Sequence, residues 1–252
     1  MFLLPSCIQL LLASCIQAQP LPPLGNSVQA LHLHAIELRA AGDLPTWLPS
    51  LLAGIPQLRS LGLQSVRPCD ESPVALPQLR SLTRLTYLRL AGFSGGADAP
   101  AAFPQLVGLR ELILECGGAV ALTAGFTALR SLSRLCLLPG VLEGEAVSVL
   151  AAMTALARLH MREPHWRTLL PLRRLPGLQY LHVEGLTASG EDATEQDVND
   201  CLMAFSHQAN GGALCLRLHG AVAFGPVFDK LAQLPARPCE CRFEHYDRFS
   251  SV

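Results

Sequence analysis

Arginine, histidine and tyrosine side chains recur between leucines along the chain, and their chemistry suits the recognition of another molecule. In RLHMR, residues 158–162, they alternate with leucine and methionine. Guanidinium groups hold carboxylates in a bidentate geometry, and tyrosine and imidazole rings stack on apolar groups. We therefore expect them to bind another protein through an acidic peptide segment. The predicted binding residues are Tyr87, Arg89, Arg134, Arg158, His160, Arg162, Tyr180, His182 and Arg217.

Three glutamates fall at the same alternating positions and weaken this prediction. Glu111, Glu115 and Glu184 would partly neutralise the neighbouring arginines. The alternative interpretation is a solvated polar face that has no partner.

Motifs for catalysis are missing from the sequence. It contains no phosphate-binding GxxxxGK[ST] loop, no dinucleotide-binding GxGxxG, no GxSxG elbow and no HExxH. The best metal candidate is Cys239-x-Cys241 with His245, but three ligands without a second pair are a weak zinc signal. The same cysteines fall where leucine stands elsewhere, so we interpret them as core residues. We predict no enzyme activity, no cofactor and no metal.

Composition restricts the partners. The chain has 252 residues, half of them hydrophobic, and a formal net charge of −1, which gives no reason to expect nucleic acid or an anionic membrane. Beyond the amino-terminal residues no apolar run is long enough to span a bilayer. The nine cysteines are scattered, which favours reduced thiols in a core over a disulfide scaffold. We expect a monomer.

One stretch, LRSLTRLTYLRL at Leu79–Leu90, explains how such side chains are positioned. Its leucines are spaced by three and then by two, as when a helical turn leads into a half-buried strand. The strand ending recurs in neighbouring segments at intervals of 22 to 30 residues, which is typical of a solenoid. The aligned copies are Val28-Leu31-Leu33, Leu58-Leu61-Leu63, Leu85-Leu88-Leu90, Leu109-Leu112-Leu114, Leu132-Leu135-Leu137, Leu156-Leu159-Met161 and Leu178-Leu181-Val183.

Weaker copies extend the array at both ends. Cys7-x-x-Leu10-x-Leu12 precedes the series, and Ala213-x-x-Leu216-x-Leu218 and Ala236-x-x-Cys239-x-Cys241 follow it. Between strands, Phe103–Leu109 and Phe126–Leu132 have helical spacing. The count of predicted strands is about ten.

The pattern resembles the leucine-rich-repeat family, whose repeats read LxxLxLxx(N/C)xL. The resemblance implies an α/β solenoid, a horseshoe with a concave parallel β-sheet and short helices or 3₁₀ turns on the convex side. It also implies that residues between the leucines form a concave binding surface. The chain departs from the family at the Asn/Cys position, where Ile36, Val66 and Phe93 are examples. This departure implies irregular turns.

We interpret residues 1–252 as a single domain with irregular ends. Residues 1–27 are either a first repeat or a signal peptide cleaved after Ala18, and the sequence leaves both open. Residues 187–212 form a predicted helical insertion, whose amphipathic helix covers Glu191–Gln208, and residues 213–252 form divergent carboxy-terminal repeats that include a second helix at Pro226–Leu234.

The expected function is that of a non-enzymatic protein–protein interaction module, a cytoplasmic scaffold or substrate-recognition protein. Similar arrays are the recognition halves of F-box ubiquitin-ligase adaptors, recognition domains of plant immune receptors and scaffolds in algal cilia, so a cytoskeletal or axonemal location is one form of this expectation. The alternative is a secreted protein, with Met1–Ala18 removed, that acts in extracellular recognition.

Overall fold

The computed structural model describes ten short strands in one sheet. The described residues are 7–11, 28–36, 47–65, 77–92, 103–115, 122–138, 146–162, 172, 175, 177–184, 215–219 and 242–244. The strands are β1 (Cys7–Leu11), β2 (Ala30–Ile36), β3 (Ser60–Ser65), β4 (Tyr87–Ala91), β5 (Glu111–Glu115), β6 (Arg134–Leu138), β7 (Arg158–Arg162), β8 (Tyr180–Glu184), β9 (Cys215–His219) and β10 (Arg242–Glu244). Each pairs in parallel with the next in chain order. The predicted solenoid is confirmed.

Two ladders of apolar side chains run across the strands and form the core. Leu61, Leu88 and Leu112 exemplify the first ladder, because they stand in register on β3, β4 and β5 and have no exposed surface. Leu90 and Leu114 belong to the second ladder, two residues along each strand. A fully buried leucine contributes about 1.5–3 kcal/mol relative to an exposed one. The ladders therefore supply a large part of the stabilising free energy.

The turn into each strand is also repeated. The apolar residue three positions before the strand motif is buried in each described copy, as Leu82, Leu106 and Leu129 show. Its carbonyl accepts a hydrogen bond from the first motif residue, for example Leu85 N–H to Leu82 O at 3.0 Å. One backbone carbonyl before each strand then accepts two N–H groups of the next repeat. Arg110 and Glu111 both donate to Thr86 O, at 2.9 and 3.0 Å. The backbone ladder thus extends beyond the strands.

Short helices occupy the return segments. Helix α1 covers Trp47–Ala53, helix α2 covers Ala146–Ala151, and 3₁₀ helices cover Pro77–Ser81 and Ala124–Ala128. They add a third buried row, six residues before each strand motif, which is Leu52, Leu79, Phe103, Phe126, Leu150 and Leu172. Helix α1 contacts the 3₁₀ helix Pro77–Ser81, and α2 contacts Ala124–Ala128. None of the described helices is long and apolar enough to cross a membrane.

The predicted register is wrong at both ends of the array. On β1, Leu10 pairs with Leu33, where the sequence alignment placed Leu12. On β10, Phe243 pairs with Leu218, where the alignment placed Cys241. Both errors are slips of two residues, which is the period at which the side chains of a strand alternate. The predicted helices Glu191–Gln208 and Pro226–Leu234, and the insertion at 187–212, lie outside the described residues.

Candidate binding surface on the concave face

The residues between the leucines of β4–β8 form the exposed face of the sheet, called here the concave face. They stand in three rows, because each parallel strand repeats the register of its neighbour. The first row is Tyr87, Glu111, Arg134, Arg158 and Tyr180. The middle row is Arg89, Ile113, Cys136, His160 and His182. The third row contains Ala91, Glu115, Leu138, Arg162 and Glu184.

Two of the predicted arginines are held by glutamates on a neighbouring strand. Arg89 donates from Nε and Nη2 to the two carboxylate oxygens of Glu115, at 3.0 and 3.1 Å. This bond to Glu115 raises the pKa of Arg89. Arg134 Nη1 lies 3.2 Å from Glu111 Oε1, across the β5–β6 pair. The predicted neutralisation therefore occurs as direct ion pairs, which stabilise partly exposed sites by about 0–1 kcal/mol.

Glu184 organises the other end of the face. Its Oε2 accepts a hydrogen bond from Arg162 Nε at 3.0 Å, and its Oε1 lies 3.1 Å from His160 Nε2 and 4.0 Å from His182 Nε2. The rings of His160 and His182 are stacked, with centroids 4.2 Å apart. On its other side, His160 Nδ1 lies 3.3 Å from Cys136 Sγ. A chain of polar contacts therefore runs across β6, β7 and β8.

Burial shifts the pKa values of this cluster. Burial lowers the pKa of His160, and the nearby Glu184 carboxylate only partly offsets that effect. Burial also tends to raise the pKa of Glu184, but the hydrogen bond from Arg162 and the nearby imidazoles bring its pKa below the ordinary value. Burial raises the pKa of the Cys136 thiol to about 11. At neutral pH the thiol is therefore protonated, His160 is neutral and Glu184 is ionised.

These shifts predict that the protein loses stability on acidification. Below about pH 6.5 the unfolded chain takes up a proton at His160 more readily than the folded chain, and below about pH 4.5 the same holds at Glu184. The free energy of unfolding should therefore fall as pH is lowered from 7 to 4. Urea unfolding at several pH values measures this. A His160→Gln variant should show a flatter profile between pH 7 and 5, and an equally steep profile would contradict the assignment.

Arg158 and Tyr180 are neighbours in the first row and differ from the other predicted residues. They stand in register on β7 and β8, and Arg158 is exposed. Within the described part of the chain, the Arg158 side chain has no hydrogen bond or ion pair, whereas Arg89, Arg134 and Arg162 each hold a glutamate. The Tyr180 ring meets the edge of His182, with centroids 6.3 Å apart. Among the concave-face arginines whose side chains are described, Arg158 is therefore the one without an ion-pair partner.

Tyr87 lies away from this cluster, toward the amino-terminal strands. Its ring is tilted against His32 on β2, at a centroid distance of 6.0 Å. His32 fills the space above Gly62, and a Cβ on Gly62 would collide with the imidazole. Burial lowers the pKa of His32, and the charges of His34 and Arg89 act in the same direction. Tyr87 and Arg89 therefore belong to a second region of the same face.

Some predicted features are placed only in part. The backbone of Arg217 pairs with His182, but its side chain lies outside the described residues. Cys239, Cys241 and His245 also lie outside them. Cys136 is buried and forms no disulfide. Cys136 lies in the middle row of the concave face, between Ile113 and His160, and not in the leucine core.

The stack of two histidines on a glutamate was not predicted from the sequence, although both histidines were among the predicted binding residues. His160 and His182 are separated by one repeat, so the parallel register places them side by side. The signal was the repeat length itself: residues one repeat apart share a row and become neighbours.

Comparisons with known proteins identify the fold. No family model matches the sequence, and no curated protein does. Internalin C2 of Listeria monocytogenes is similar in structure, with 16% identity, a TM-score of 0.50, and coverage of 88% of this chain and 82% of that one. A leucine-rich-repeat protein of Leptospira interrogans has 15% identity and a TM-score of 0.47, over 90% of this chain and 53% of its own. With the register and the buried ladders, the likeness to internalin C2 shows that this chain has the leucine-rich-repeat fold.

Proposed function

We propose that the chain is a non-enzymatic module that binds another protein on its concave face. The observation that carries the proposal is the Arg158–Tyr180 pair. It places an exposed cation with no described ion-pair partner beside an aromatic ring, on a rigid sheet. Arginine and tyrosine are enriched among the residues that dominate protein interfaces. A scaffold or substrate-recognition role follows from such a surface.

The charge arrangement supports an acidic segment as the partner's contact. In the described part of the concave face, Arg89, Arg134 and Arg162 are neutralised by Glu115, Glu111 and Glu184. Arg158 is therefore the position at which a partner's carboxylate would meet a cation without first displacing a glutamate. The ion-paired arginines around it are held in place and contribute shape more than net charge.

The proposal excludes nucleophilic catalysis at an arrangement among the described residues that resembles a catalytic triad. Cys136, His160 and Glu184 lie in the order thiol, imidazole and carboxylate. A catalytic cysteine needs a depressed pKa and access to substrate. Cys136 is buried and its pKa is raised to about 11, so it lacks the thiolate that such chemistry requires.

The binding proposal predicts a specific loss of affinity. An Arg158→Ala/Arg162→Ala double variant should bind a purified native partner at least about tenfold more weakly, equivalent to about 1.4 kcal/mol. The partner is first isolated with the wild-type chain from extracts of its own organism, and its affinity is then measured by calorimetry. Single variants separate the two arginines, and Tyr180→Ala tests the ring.

Arg130→Ala provides the matched control. Arg130 is exposed in the turn before β6, so its removal also deletes an arginine but leaves the concave face intact. It should keep full affinity. If the double variant folds normally and binds as tightly as Arg130→Ala, the concave face is not the binding surface.

We propose a cytoplasmic location, and strand β1 supports it. Cys7–Leu11 pairs with five residues of β2, so cleavage after Ala18 would remove a strand and expose the β2 edge. The alternative is a secreted protein that lacks Met1–Ala18 and acts in extracellular recognition. The mass of the chain isolated from its organism distinguishes them, because a mature protein starting near Gln19 would contradict the cytoplasmic proposal.

A further inference from the structure

The His160–His182–Glu184 cluster combines the ligand types and the spacing of a metal site. One ligand atom of each residue lies within 4.8 Å of the other two. His160 Nε2 and His182 Nε2 are 3.1 and 4.0 Å from the same oxygen, Glu184 Oε1. Zn²⁺ binds nitrogen and oxygen at 2.0–2.2 Å in a tetrahedron, which places ligand atoms about 3.3 Å apart. The His160–Glu184 separation is close to that value, and the His182–Glu184 separation is longer.

The fold fixes this arrangement. His160 and His182 are in register on adjacent parallel strands, and Glu184 lies two residues beyond His182 on the same face of β8. All three therefore project from a rigid sheet, as a site of defined geometry requires. The two rings are stacked, and an imidazole nitrogen binds a metal in the plane of its ring, so the rings must turn apart to aim both Nε2 atoms at one ion.

Two further contacts orient the ligands. Arg162 Nε donates to Glu184 Oε2, which leaves Oε1 directed toward the histidines. Cys136 Sγ lies beside His160 Nδ1 and is able to accept a hydrogen bond from the Nδ1–H group that is present when Nε2 binds a metal. Outer contacts of this kind hold ligands in metalloproteins, and their loss typically costs about 10–100-fold in affinity.

We propose that His160, His182 and Glu184 bind a divalent transition-metal ion, with Zn²⁺ as the ion they suit best. Two imidazoles and one carboxylate are borderline-soft ligands typical of zinc, and three protein ligands leave a fourth position for water or a partner's side chain. On binding, Zn²⁺ takes the place of the proton that His160 Nε2 shares with Glu184, and that proton moves to Nδ1. This inference does not depend on the identity of the partner protein.

The test is titration of the reduced full chain with Zn²⁺ in a calorimeter. The wild type should bind one more Zn²⁺ ion than a His182→Gln variant. Glu184→Gln keeps the shape of the side chain and should weaken that binding at least about tenfold. It provides a second variant if His182→Gln fails to fold. Counting the difference in bound ions separates this site from zinc bound by cysteines elsewhere.

His34→Gln is the matched control. His34 is also on the exposed face of the sheet, where its Nδ1 lies 2.9 Å from Gln64 Oε1 on the neighbouring strand. It should leave Zn²⁺ binding unchanged. Equal stoichiometry and affinity in the wild type and the two site variants would overturn the proposal, as would an equal loss in His34→Gln.

Discussion

Leu88→Arg should abolish cooperative folding of the central repeats. Leu88 has no exposed surface and stands between Leu61 and Leu112 in the first leucine ladder. Replacing it removes about 2–5 kcal/mol of packing free energy. It also buries an arginine charge without a partner, and the loss of its hydration costs several kcal/mol more. The two together approach the 5–15 kcal/mol that typically separates folded from unfolded states. Because each repeat contacts mainly its neighbours, the damage should begin at β3 and β5.

Thermal and urea unfolding followed by circular dichroism measure this effect. Leu88→Ala should give an intermediate loss of about 2–5 kcal/mol, since it creates a cavity without a charge. Val107→Arg is the charge control: Val107 is 57% exposed, so the same side chain there should change stability by no more than about 0.5 kcal/mol. A Leu88→Arg protein that melts like the wild type would show that Leu88 does not face the core.

The leucine ladders were predictable because the same leucine spacing recurs in successive repeats. Leu61, Leu88 and Leu112 occupy the same place in successive copies, so each copy confirms the register of the next. The deep row that contains Phe103 and Phe126 shares this property, but its residue type varies between leucine and phenylalanine. The helical spacing of Phe103–Leu109 and Phe126–Leu132 predicted turns at these positions but not a continuous buried row.

The ends were mispredicted because alternation alone does not fix a strand's register. Ile8 and Leu10 satisfy the apolar pattern of β1 as well as Leu10 and Leu12 do, and pairing with β2 selects the first set. On β10 the pattern offered Cys239 and Cys241, whereas the pairing places Phe243 opposite Leu218. The pairing with β9 is what distinguishes the two registers.

The rows of the concave face could be predicted, but not the contacts within them. The repeat places Arg89 beside Ile113, yet its side chain reaches diagonally to Glu115. Arginine has several rotatable bonds, so the partner it selects depends on which carboxylate is free to receive it. The sequence thus indicated a basic patch. In the described residues, Arg89 and Arg162 form ion pairs with glutamates, and the Arg158 side chain has no ion-pair partner.

Phe126→Ala should cost about 3–5 kcal/mol, because it empties a buried site on the convex side. Phe126 and Phe103 are each 1% exposed, and their rings meet edge to face with centroids 4.9 Å apart. Such pairs contribute about 0.5–1.5 kcal/mol beyond the area that they bury. They join the return segments of successive repeats, where the strands supply no hydrogen bonds. Urea unfolding of the full chain measures the loss.

A double-mutant cycle with Phe103→Ala tests whether the two rings act together. If they are in contact, the double variant should lose less stability than the two single losses combined, with a coupling of about 0.5–1.5 kcal/mol. Phe126→Leu should recover most of the loss, since leucine fills this row in other repeats, as Leu79 and Leu150 do. Additive losses would show that the rings do not contact each other. A loss below about 1 kcal/mol for Phe126→Ala would mean that the convex row is not part of the core, and that the solenoid is held by its sheet-side ladders alone.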